Sequence, residues 1–585
     1  MFSEFEIRQM PLSIKSQRTQ VERFLADNDL KLEAVDYYAG VFENEGDELL
    51  AGGGVQGDVL KCIAVSDKLR DTGMSLQLIS HLLSTAQANG HTEMKVFTKP
   101  ENRKIFESES FHIIDEAPKA ILMENTNGLE HYCDYLAKLR KEGTSGVIVM
   151  NGNPFTKGHR YLIETASRQV DNLYVIVVKE DLSQFSYKDR LEMIQQGCGD
   201  LDNVTVCKGS CYAVSSVTFP TYFIKKVEDA TETQITLDLN MFAEHIAPAL
   251  GATKRFVGSE KHGDKTTNRY NKLMHKILPE HGIEVIELPR LENDAHAISA
   301  STVRKAIANG TYIEAANLAY PTTIPYIIVH LAKRALLAEV DTTPKPGLVD
   351  KHDSGAHNDM DHALMCRSID ALLPYFTELA KLGFQEEFPS AKEVQHIGIK
   401  GEKAMLEATQ EINTHKGALF SMGLAITATA HLVKTGQELN SGNVKAYIQQ
   451  LARQLPSPQG THGAKVVAQI HIDGALSSAC KGYPLLFYHW LPFYNENIED
   501  PHVNHKTLLL IMSEIEDTNV YYRKGKLEAN IVKQEAHDLL NNFSIGALER
   551  MNENYIRRHV SPGGAADMLS LTIFLSSIIE KKTFN

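Results

Sequence analysis

A histidine at the start of a predicted helix is the first residue whose position suggests chemistry. The segment 151–159 (NGNPFTKGH) directly follows the apolar run 146–150, which is typical of a buried parallel strand. A helix N-terminus offers unpaired N–H groups and partial positive charge, and Gly158 lets the backbone approach a phosphate closely. His159 can then donate to an α-phosphate as negative charge develops in a transition state. The sequence therefore predicts a nucleotide phosphate site at this turn.

A second segment of the same kind lies near residue 300. Ser301 and Thr302 place hydroxyls at a predicted helix start, and Arg304 follows within one turn, where such groups can hold the outer phosphates. The two segments resemble the HxGH and Ser-Thr-x-x-Arg signatures of the nucleotidyltransferase superfamily, with Thr156 in the first position of the former. A helix-start histidine without a catalytic role is the plainer interpretation of His159, and the second segment weighs against it.

The elements around these segments alternate between strand and helix. Apolar runs predict strands at 146–150, 173–178, 255–258 and 283–288, and 158–168 predicts a helix. Such alternation favours a doubly wound parallel sheet. Ligands in these sheets bind beyond the carboxyl ends of the strands, where the first segment lies.

The sequence around the first motif resembles one particular family of enzymes. Residues 146–166 are similar to the citrate lyase ligase family, and so are residues 178–185 and 256–260. The resemblance covers about residues 1–330. It implies that acetate attacks the α-phosphorus of ATP, that pyrophosphate leaves, and that acetyl-adenylate forms. The acetyl group would then pass to the prosthetic-group thiol on the citrate lyase acyl carrier (gamma) subunit.

Roles in this reaction follow from the motifs. We expect His159 and Thr156 to act at the α-phosphate, and Ser301, Thr302 and Arg304 to hold the departing pyrophosphate, because this chemistry depends on positioning and charge stabilisation. Further ATP-binding candidates lie in the motif or near strand ends: Asn151, Asn153, Pro154, Phe155, Gly158, Lys179, Arg190 and Gly258. For Lys179 and Arg190, a solvated face is an equal alternative. Mg²⁺ would be held mainly by the nucleotide and water.

The first 130 residues carry a different motif. Residues 70–75 (RDTGMS) lie between a predicted strand at 59–65 and a predicted helix at 75–89, before another strand at 93–98. They resemble the acyl-CoA-binding loop of the GNAT acetyltransferases, in which backbone N–H groups hold a pyrophosphate. The resemblance makes Arg70, Gly73 and Ser75 cofactor-binding candidates, although Ser75 replaces the expected Gly or Ala. The domain would cradle the pantetheine arm, and a purely structural domain is the alternative.

From about residue 325 the strand signals end and helical patterns are separated by polar strings. The strings lie at 343–350, 355–361, 413–420, 461–463, 517–519 and 561–568. Ser561 and Pro562 predict an N-cap and a first helical position, which would create an anion-accepting helix start. A capped loop is the alternative for any one string.

The charged residues of these strings suit a triphosphate and a metal ion. Lys345 and Lys416 can pair with phosphates. Asp359 and Asp361 are the catalytic candidates. Oxygen ligands for Mg²⁺ would come from Asp350, Asp517 and Asp567.

Together the strings resemble the triphosphoribosyl-dephospho-CoA synthase family, over about residues 325–585. The resemblance implies that a ribose hydroxyl of 3'-dephospho-CoA attacks the anomeric carbon of ATP, adenine leaves, and the triphosphate stays. A related family makes the same precursor for malonate decarboxylase. The ligase-like half favours citrate lyase, since one half would make the prosthetic-group precursor and the other would charge its thiol.

The predicted architecture is multidomain, α/β plus all-α, because 585 residues exceed one hydrophobic core. We expect a GNAT-like α+β domain at 1–130, a Rossmann-like nucleotidyltransferase domain with a parallel sheet at 145–322, and a mostly helical domain at 325–585. The last boundary falls near 320–325, where two prolines discourage helix continuation.

Composition and charge bear on the partners and the cellular location of the protein. The net charge of -14 argues against a nucleic-acid partner. We expect no membrane span, because the best apolar run, 324–340, is interrupted by charged residues. The N-terminus lacks the basic-then-apolar pattern of a secretory signal, and seven scattered cysteines do not suggest disulfides, so a cytoplasmic enzyme is expected. Two alternatives stay open: an ATP-binding regulatory protein without turnover, and a nucleotidyltransferase acting on a pantetheine-type substrate.

Overall fold

The computed structural model describes residues 4–69, 72–179, 183–212, 223–224, 227–259, 265–293, 296–456 and 474–579. The chain forms two compact units. The first contains Met1–Asn153 and Lys157–Ile298, and the second contains Pro154–Thr156 and Ser299–Asn585.

The first unit begins with a seven-stranded sheet in the order β1-β2-β3-β4-β5-β7-β6. Its neighbouring strands are antiparallel except β4 and β5. The strands are β1 Phe5–Gln9, β2 Tyr37–Glu43, β3 Ala51–Gln56, β4 Val59–Val65, β5 Lys95–Thr98, β6 His112–Ala117 and β7 Ala120–Glu124. The helices are Lys15–Asp27, Met74–Ala88, Arg103–Ser108 and Gly128–Ala137. The predicted strands at 59–65 and 93–98 and the helix at 75–89 are confirmed.

The parallel pair in this sheet is short. Only Val59 with Lys95 and Leu60 with Val96 are paired between β4 and β5. Strand β4 continues to Val65 and strand β5 continues to Thr98 without further pairing between them. The helix Met74–Ala88 begins just after β4, and its apolar residues Leu78 and Leu82 are buried in the core of the unit. The sheet is therefore open between β4 and β5, close to the start of that helix.

The second sheet of the same unit has five parallel strands in the order β10-β9-β8-β11-β12. The strands are β8 Ser145–Met150, β9 Asn172–Val177, β10 Val204–Lys208, β11 Ala252–Gly258 and β12 Glu284–Leu288. The helices are Lys157–Ser167, Tyr187–Gly197, Val227–Met241, the π-helical turn Phe242–Ile246, Ala247–Leu250 and Lys265–Glu280, before a short hairpin of Glu292–Asn293 and His296–Ala297. The predicted parallel α/β sheet is confirmed. Its apolar strands are buried, as both faces of such sheets usually are.

The two sheets share one hydrophobic core. A single cluster of buried residues runs from Met10 in the first segment to Ile283 beside β12. Polar contacts join the same parts: Tyr212 Oη donates to Glu124 at 2.5 Å, and Tyr132 Oη donates to the Lys208 carbonyl at 3.1 Å. The sheets therefore lie within one unit, and the division into 1–130 and 145–322 stays a prediction.

The second unit is helical in its described residues, as predicted. Its helices are Ala300–Asn309, Tyr312–Leu318, Ile324–Val340, His362–Gly383, Ala391–Ala408, Lys416–Lys434, Ser441–Ala452, Ala475–Cys480, the π-helical turn Leu486–Trp490, Leu491–Glu496, Val503–Glu514, Thr518–Asn541, Ile545–Arg558 and Gly563–Ile578. Three of the most apolar, at 324–340, 416–434 and 563–578, pack against each other in the core.

One helix among the described residues, Lys416–Lys434, is long and apolar enough to cross a membrane by length and composition. In the protein 78% of its apolar window is buried. A core helix of a globular protein passes the same test, so the helix is weak evidence for a span.

Pro321 lies between the helices Tyr312–Leu318 and Ile324–Val340, and Pro325 is in the first turn of the second. The unit boundary falls earlier, between Ile298 and Ser299. The reason is local. The carbonyl of Phe155 accepts from Thr323 Oγ1 at 2.6 Å and from Tyr320 N at 3.3 Å. Thr156 forms a β-bridge with Ala319. These contacts place residues 154–156 in the helical unit.

Candidate functional sites

The turn after β8 is held by hydrogen bonds from the buried side chain of Arg190. This side chain is fully buried, and its Nη1 donates to the Asn151 carbonyl at 2.8 Å, to Asn151 Oδ1 at 2.7 Å and to the Val178 carbonyl at 2.9 Å. Its Nε donates to the Phe185 carbonyl at 3.2 Å. Arg190 therefore ties the ends of β8 and β9 to the next loop, and its guanidinium positions Asn151 without facing solvent.

Gly152 allows the turn itself. Its φ is 59°, and a Cβ at this position would lie 2.7 Å from Ile194 Cδ1. Both the backbone conformation and the close approach favour glycine. The next polar residue, Asn153, accepts from Phe185 N through Oδ1 at 3.2 Å. The turn is thus fixed by contacts to the loop that precedes the helix Tyr187–Gly197.

His159 lies in the first turn of the helix Lys157–Ser167, as predicted, next to Gly158. The residue is half-buried, and burial, followed by the charge of Arg290, lowers the pKa of the imidazole to about 4. The ring is therefore neutral at physiological pH and can donate one N–H to an anion.

Arg290 was missed by the sequence interpretation. It follows β12, is exposed, and its Cγ and Nε lie 3.6 Å from the position of a Cβ on Gly258 at the end of β11. Its positive charge contributes to the lowered pKa of His159, so the two side chains interact electrostatically. The rule that ligands bind beyond the carboxyl ends of parallel strands could have found it. Lys179, after β9, is exposed, as a solvated or ATP-facing lysine would be.

Two further motif residues belong to the second unit. Phe155 is fully buried and contacts Tyr320 edge-on at 5.4 Å between ring centroids. Thr156 is 1% exposed, and Pro154 is also buried. The hydroxyl predicted to act at the α-phosphate thus lies in a nearly closed environment.

The predicted helix start near residue 300 is confirmed. The helix Ala300–Asn309 has Ser299 as its N-cap, and Ser299 Oγ accepts from Ser301 N at 3.2 Å. Ser301 is exposed, and Thr302 and Arg304 are half-buried. The hydroxyls therefore stand at a capped helix N-terminus that can accept an anion.

The predicted cofactor loop of the first sheet is partly described. Gly73 has a φ of 77° and is the N-cap of the helix Met74–Ala88, with no atom within 4 Å of a Cβ built on it. Ser75 in the first turn is half-buried. Arg70 lies outside the described residues, as does the string 461–463. Among the described residues, therefore, none crowds Gly73 at this helix N-terminus.

In the second unit, Asp350 organises the loop between the helices Ile324–Val340 and His362–Gly383. Its Oδ2 accepts from Thr343 Oγ1 at 2.7 Å and Lys345 N at 3.2 Å, and its Oδ1 accepts from His352 N at 2.7 Å and Asp353 N at 3.0 Å. The residue is 1% exposed. Both oxygens predicted to bind Mg²⁺ are therefore occupied by the loop.

Lys345 belongs to a buried cluster of ionisable groups. Its Nζ pairs with Glu339, and the two side chains are 1% and 3% exposed. Burial raises the pKa of Glu339, while Lys345 opposes the rise. His415, whose Nδ1 lies 2.8 Å from Ser368 Oγ, has a buried Nε2 with no hydrogen-bond partner among the described residues. Burial and the charge of Lys345 lower the pKa of His415 to about 3.

Asp567 completes this cluster. Burial raises its pKa well above the usual range, and the charges of Glu339 and Asp517 raise it further. Its Oδ2 would lie 1.9 Å from a Cβ on Gly417, so glycine is needed at the start of the helix Lys416–Lys434. Lys416 itself pairs with Glu402. The predicted phosphate and metal residues are thus near each other, but most have protein partners. The described residues contain no group of three or more acidic, His or Cys side chains arranged to hold a metal ion.

The prediction for Ser561 was wrong. The helix begins at Gly563 with Pro562 as its N-cap, and Asp517 fills the helix start: its Oδ2 accepts from Ala565 N at 3.1 Å. Asp517 also caps its own helix, through Asn519 N at 2.9 Å. A carboxylate therefore already occupies the place predicted for an external anion.

Ser561 has another partner, His357. His357 Nε2 lies 2.8 Å from Ser561 Oγ, and Nδ1 lies 3.9 Å from Asp359 Oδ1. The His357 side chain is 9% exposed and Asp359 is 60% exposed. Burial lowers the pKa of His357, and the charge of Arg523 lowers it further. Asp361, in contrast, caps the helix His362–Gly383 by accepting from Leu364 N at 2.7 Å. His357 could have been suspected because it shares a polar string with both aspartates.

Comparison with known proteins relates two consecutive parts of the chain to two families. The family described as citrate lyase ligase C-terminal domain matches residues 145–327, and the family described as ATP:dephospho-CoA triphosphoribosyl transferase matches residues 326–585. A "[Citrate [pro-3S]-lyase] ligase" of Haemophilus influenzae is 42% identical over 52% of this chain and 94% of its own length. A "Probable 2-(5''-triphosphoribosyl)-3'-dephosphocoenzyme-A synthase" of Streptococcus mutans is 35% identical over 42% of this chain and 94% of its own length.

The chain belongs to both families. Its first part is a citrate lyase ligase family member, and its second part is a triphosphoribosyl-dephospho-CoA synthase family member, so one polypeptide joins a ligase to a transferase. A solved pantoate-beta-alanine ligase of Francisella tularensis aligns with 32% of this chain and 76% of its own length, at 15% identity and a TM-score of 0.22. That score is too low to support an argument.

Proposed function

We propose that the first part of the chain activates acetate with ATP and transfers the acetyl group to the prosthetic-group thiol of the citrate lyase acyl carrier (gamma) subunit. Acetate oxygen bonds to the α-phosphorus, pyrophosphate leaves, and acetyl-adenylate forms. The thiol then attacks the acetyl carbon, and AMP leaves. The observation that carries this proposal is the position of His159, in the first turn of a helix that follows the central strand β8.

In the proposed reaction, residues at the carboxyl ends of the parallel strands stabilise the negative charge of the ATP phosphates. His159 donates to the α-phosphate, and Arg290, close to Gly258, stabilises negative charge as the leaving group departs. Ser301, Thr302 and Arg304 would hold pyrophosphate at the start of their own helix. Arg190 acts as a positioning residue through Asn151. Thr156, Asn153, Pro154, Phe155, Gly158 and Lys179 remain ATP-site candidates.

We also propose that the first sheet has a GNAT-like fold and the second a Rossmann-like nucleotidyltransferase fold. The open pair β4 and β5, followed by Gly73 at a helix start, supports a GNAT-like fold whose loop cradles the pantetheine arm through Gly73, Ser75 and Arg70. The strand order β10-β9-β8-β11-β12 supports a Rossmann-like nucleotidyltransferase fold. We retain domains at 1–130, 145–322 and 325–585, and a cytoplasmic location.

For the second part, we propose synthesis of 2'-(5''-triphosphoribosyl)-3'-dephospho-CoA. A ribose hydroxyl of 3'-dephospho-CoA bonds to the anomeric carbon of ATP, the bond to adenine breaks, and adenine leaves with its electron pair and gains a proton. Asp359 and His357 are the groups best placed for the proton transfers, because Asp359 is exposed and His357 is held beside it. Asp361 caps a helix and would act through the position of this loop.

Mg²⁺ would neutralise the triphosphate. Asp567 is the remaining protein ligand of the predicted set, because Asp350 and Asp517 accept hydrogen bonds from backbone N–H groups through both oxygens. Since burial raises the pKa of Asp567, binding a metal ion there would require loss of its proton. Lys345 and Lys416 would attract phosphate only by exchanging their present partners, Glu339 and Glu402. These assignments fit a site where ATP and a metal arrive together.

The ligase proposal is tested by product analysis with ATP, acetate and the thiol form of the carrier subunit. We expect AMP and pyrophosphate to form only when acetate is present, and His159→Ala to reduce their formation by at least about 100-fold. Arg168→Ala, at an exposed residue directly after the same helix, should leave the rate unchanged and serves as the matched control. Equal rates for His159→Ala and the control would refute the role of His159.

A further inference from the structure

The helix Thr518–Asn541 is broken at Gly525. Gly525 has a φ of 83° and a ψ of 179°, values outside the helical region, and no atom lies within 4 Å of a Cβ built on it. Glycine tolerates this backbone conformation without strain, whereas other residues do not. The break separates a short N-terminal segment, which starts at Asp517, from the longer helix that follows. It leaves the residues on both sides of Gly525 in a turn at the surface.

This turn carries a run of positive charge. Arg523, Lys524 and Lys526 are all exposed. None of the three makes a hydrogen bond or an ion pair to another described residue. Glu516, which precedes this segment, already accepts from Lys533 Nζ at 2.5 Å and from Tyr521. In a chain of net charge -14, three such cations within the four residues 523–526 are a local concentration of positive charge.

The turn lies beside the His357 site. The positive charge of Arg523 acts on His357, which contacts Ser561 and lies near Asp359. The backbone segment that carries Arg523 is held near Ser561, since Asp517 caps this segment and also caps the helix after Ser561. The Asp517 carboxylate therefore fixes the segment with the basic turn relative to Ser561, the partner of His357.

We propose that Arg523, with Lys524 and Lys526, binds the triphosphate of the nucleotide and so positions its ribose against His357 and Asp359. This inference rests on the proposed transferase activity and names the group that recognises its polyanionic substrate. A triphosphate needs several donors, and Arg and Lys side chains supply them at a surface open to the solvent. The helix start at Gly563 is not available for this purpose, because Asp517 occupies it.

The same turn also carries exposed apolar side chains, Tyr522 at 50% and Leu527 at 77%. A basic turn flanked by apolar groups could instead bind an acidic protein surface. The triphosphate is favoured because the segment that carries Arg523 shares the Asp517 cap with the helix after Ser561, and Ser561 contacts His357. An acidic protein partner is therefore an outcome that the test must distinguish.

The test uses the full chain and measures adenine release as a function of ATP concentration, with 3'-dephospho-CoA at saturation. Arg523→Gln should raise the KM for ATP by about tenfold and leave kcat within about twofold. Binding of inorganic tripolyphosphate, measured by calorimetry, should weaken by a similar factor. A residue with only a structural role would lower kcat or stability without this selective loss of triphosphate binding.

Arg550→Gln is the matched control, because Arg550 is an exposed arginine on the helix Ile545–Arg558 of the same unit. Acetate-dependent AMP formation by the same preparations reports that the chain is folded. An unchanged KM and unchanged tripolyphosphate binding in Arg523→Gln would overturn the proposal. Weaker acetyl transfer to the carrier subunit with normal adenine release would overturn it in favour of a protein-docking surface. If the wild type binds tripolyphosphate through Arg523 but releases no adenine, the transferase proposal fails and the binding site stands.

Discussion

The carboxylate of Asp517 accepts a hydrogen bond from the backbone nitrogen of Ala565 at 3.1 Å, across 48 residues of sequence. The same carboxylate caps the helix Thr518–Asn541. One buried side chain thus satisfies the unpaired N–H groups of two helices and fixes the segment that contains Ser561 relative to the segment that contains Arg523.

This double cap predicts a large loss of stability on truncation. Asp517→Ala should lower the free energy of unfolding of the helical unit by about 2–4 kcal/mol, because it leaves buried N–H groups of two helix starts without acceptors. Asp361→Ala removes a cap with one hydrogen bond, to Leu364, and should cost about 1 kcal/mol. Urea unfolding followed by circular dichroism gives both values. Equal costs would contradict a double role for Asp517.

Arg290 provides a prediction for the ligase site. Arg290→Gln should reduce acetate-dependent AMP formation by about 10- to 100-fold, since it removes a positive charge near His159 and the phosphates. Adenine release should be unchanged. Arg168→Gln, with an exposed side chain paired to Glu164, is the matched control. A loss of both activities in Arg290→Gln would indicate a structural role.

A side chain at position 152 should disturb the packing of the turn after β8. Gly152→Ala should cost about 1–3 kcal/mol of stability and lower the ligase rate, because a Cβ would lie 2.7 Å from Ile194 in a backbone with a φ of 59°. Gly282→Ala is an informative comparison, as its φ is 75° but no atom lies within 4 Å of the added Cβ. It should show only the smaller backbone cost. If both variants unfold at the same urea concentration, the contact with Ile194 is unimportant.

Asp115 predicts a pH dependence of stability. Burial raises its pKa to about 7, with a further rise from the charge of Glu244, while the hydrogen bond from Glu116 N opposes the shift. An unfolded aspartate has a pKa of about 3.9. The folded protein therefore binds this proton more tightly, and the stabilisation is complete below the unfolded pKa and lost as the pH rises through about 7.

The corresponding variant is Asp115→Asn. Relative to the wild type, it should gain about 2 kcal/mol of stability when the pH is raised from 5 to 8, because the amide cannot ionise. Thermal unfolding at both pH values measures the difference. Asp134→Asn, on the exposed face of the helix Gly128–Ala137, should show no such trend. A constant difference between Asp115→Asn and the wild type would contradict the raised pKa.

Local patterns predicted many elements of the fold. The apolar runs at 146–150 and 173–178 became β8 and β9, and the amphipathic segment at 75–89 became a helix, since both depend on short-range periodicity. The helix start near Ser301 and the placement of His159 followed from capping residues and from glycine.

Long-range partners were not visible in the sequence. Glu339 interrupts an apolar helix, and only the fold shows that it pairs with Lys345. Asp517 was expected to bind metal because carboxylates often do, whereas its backbone partners lie up to 48 residues away. Arg290 is a single arginine after a strand, and its proximity to His159 depends on the order of the parallel sheet.

The proposal that one polypeptide carries two independent ATP-dependent reactions can be tested on the full chain. Its most direct test is quantitative product analysis of the purified full chain, and of His159→Ala, incubated with ATP and 3'-dephospho-CoA in the absence of acetate. We expect one free adenine for each 3'-dephospho-CoA consumed, at the same rate in both proteins. Absence of adenine from the wild type, or loss of its release in a folded His159→Ala variant, would contradict it.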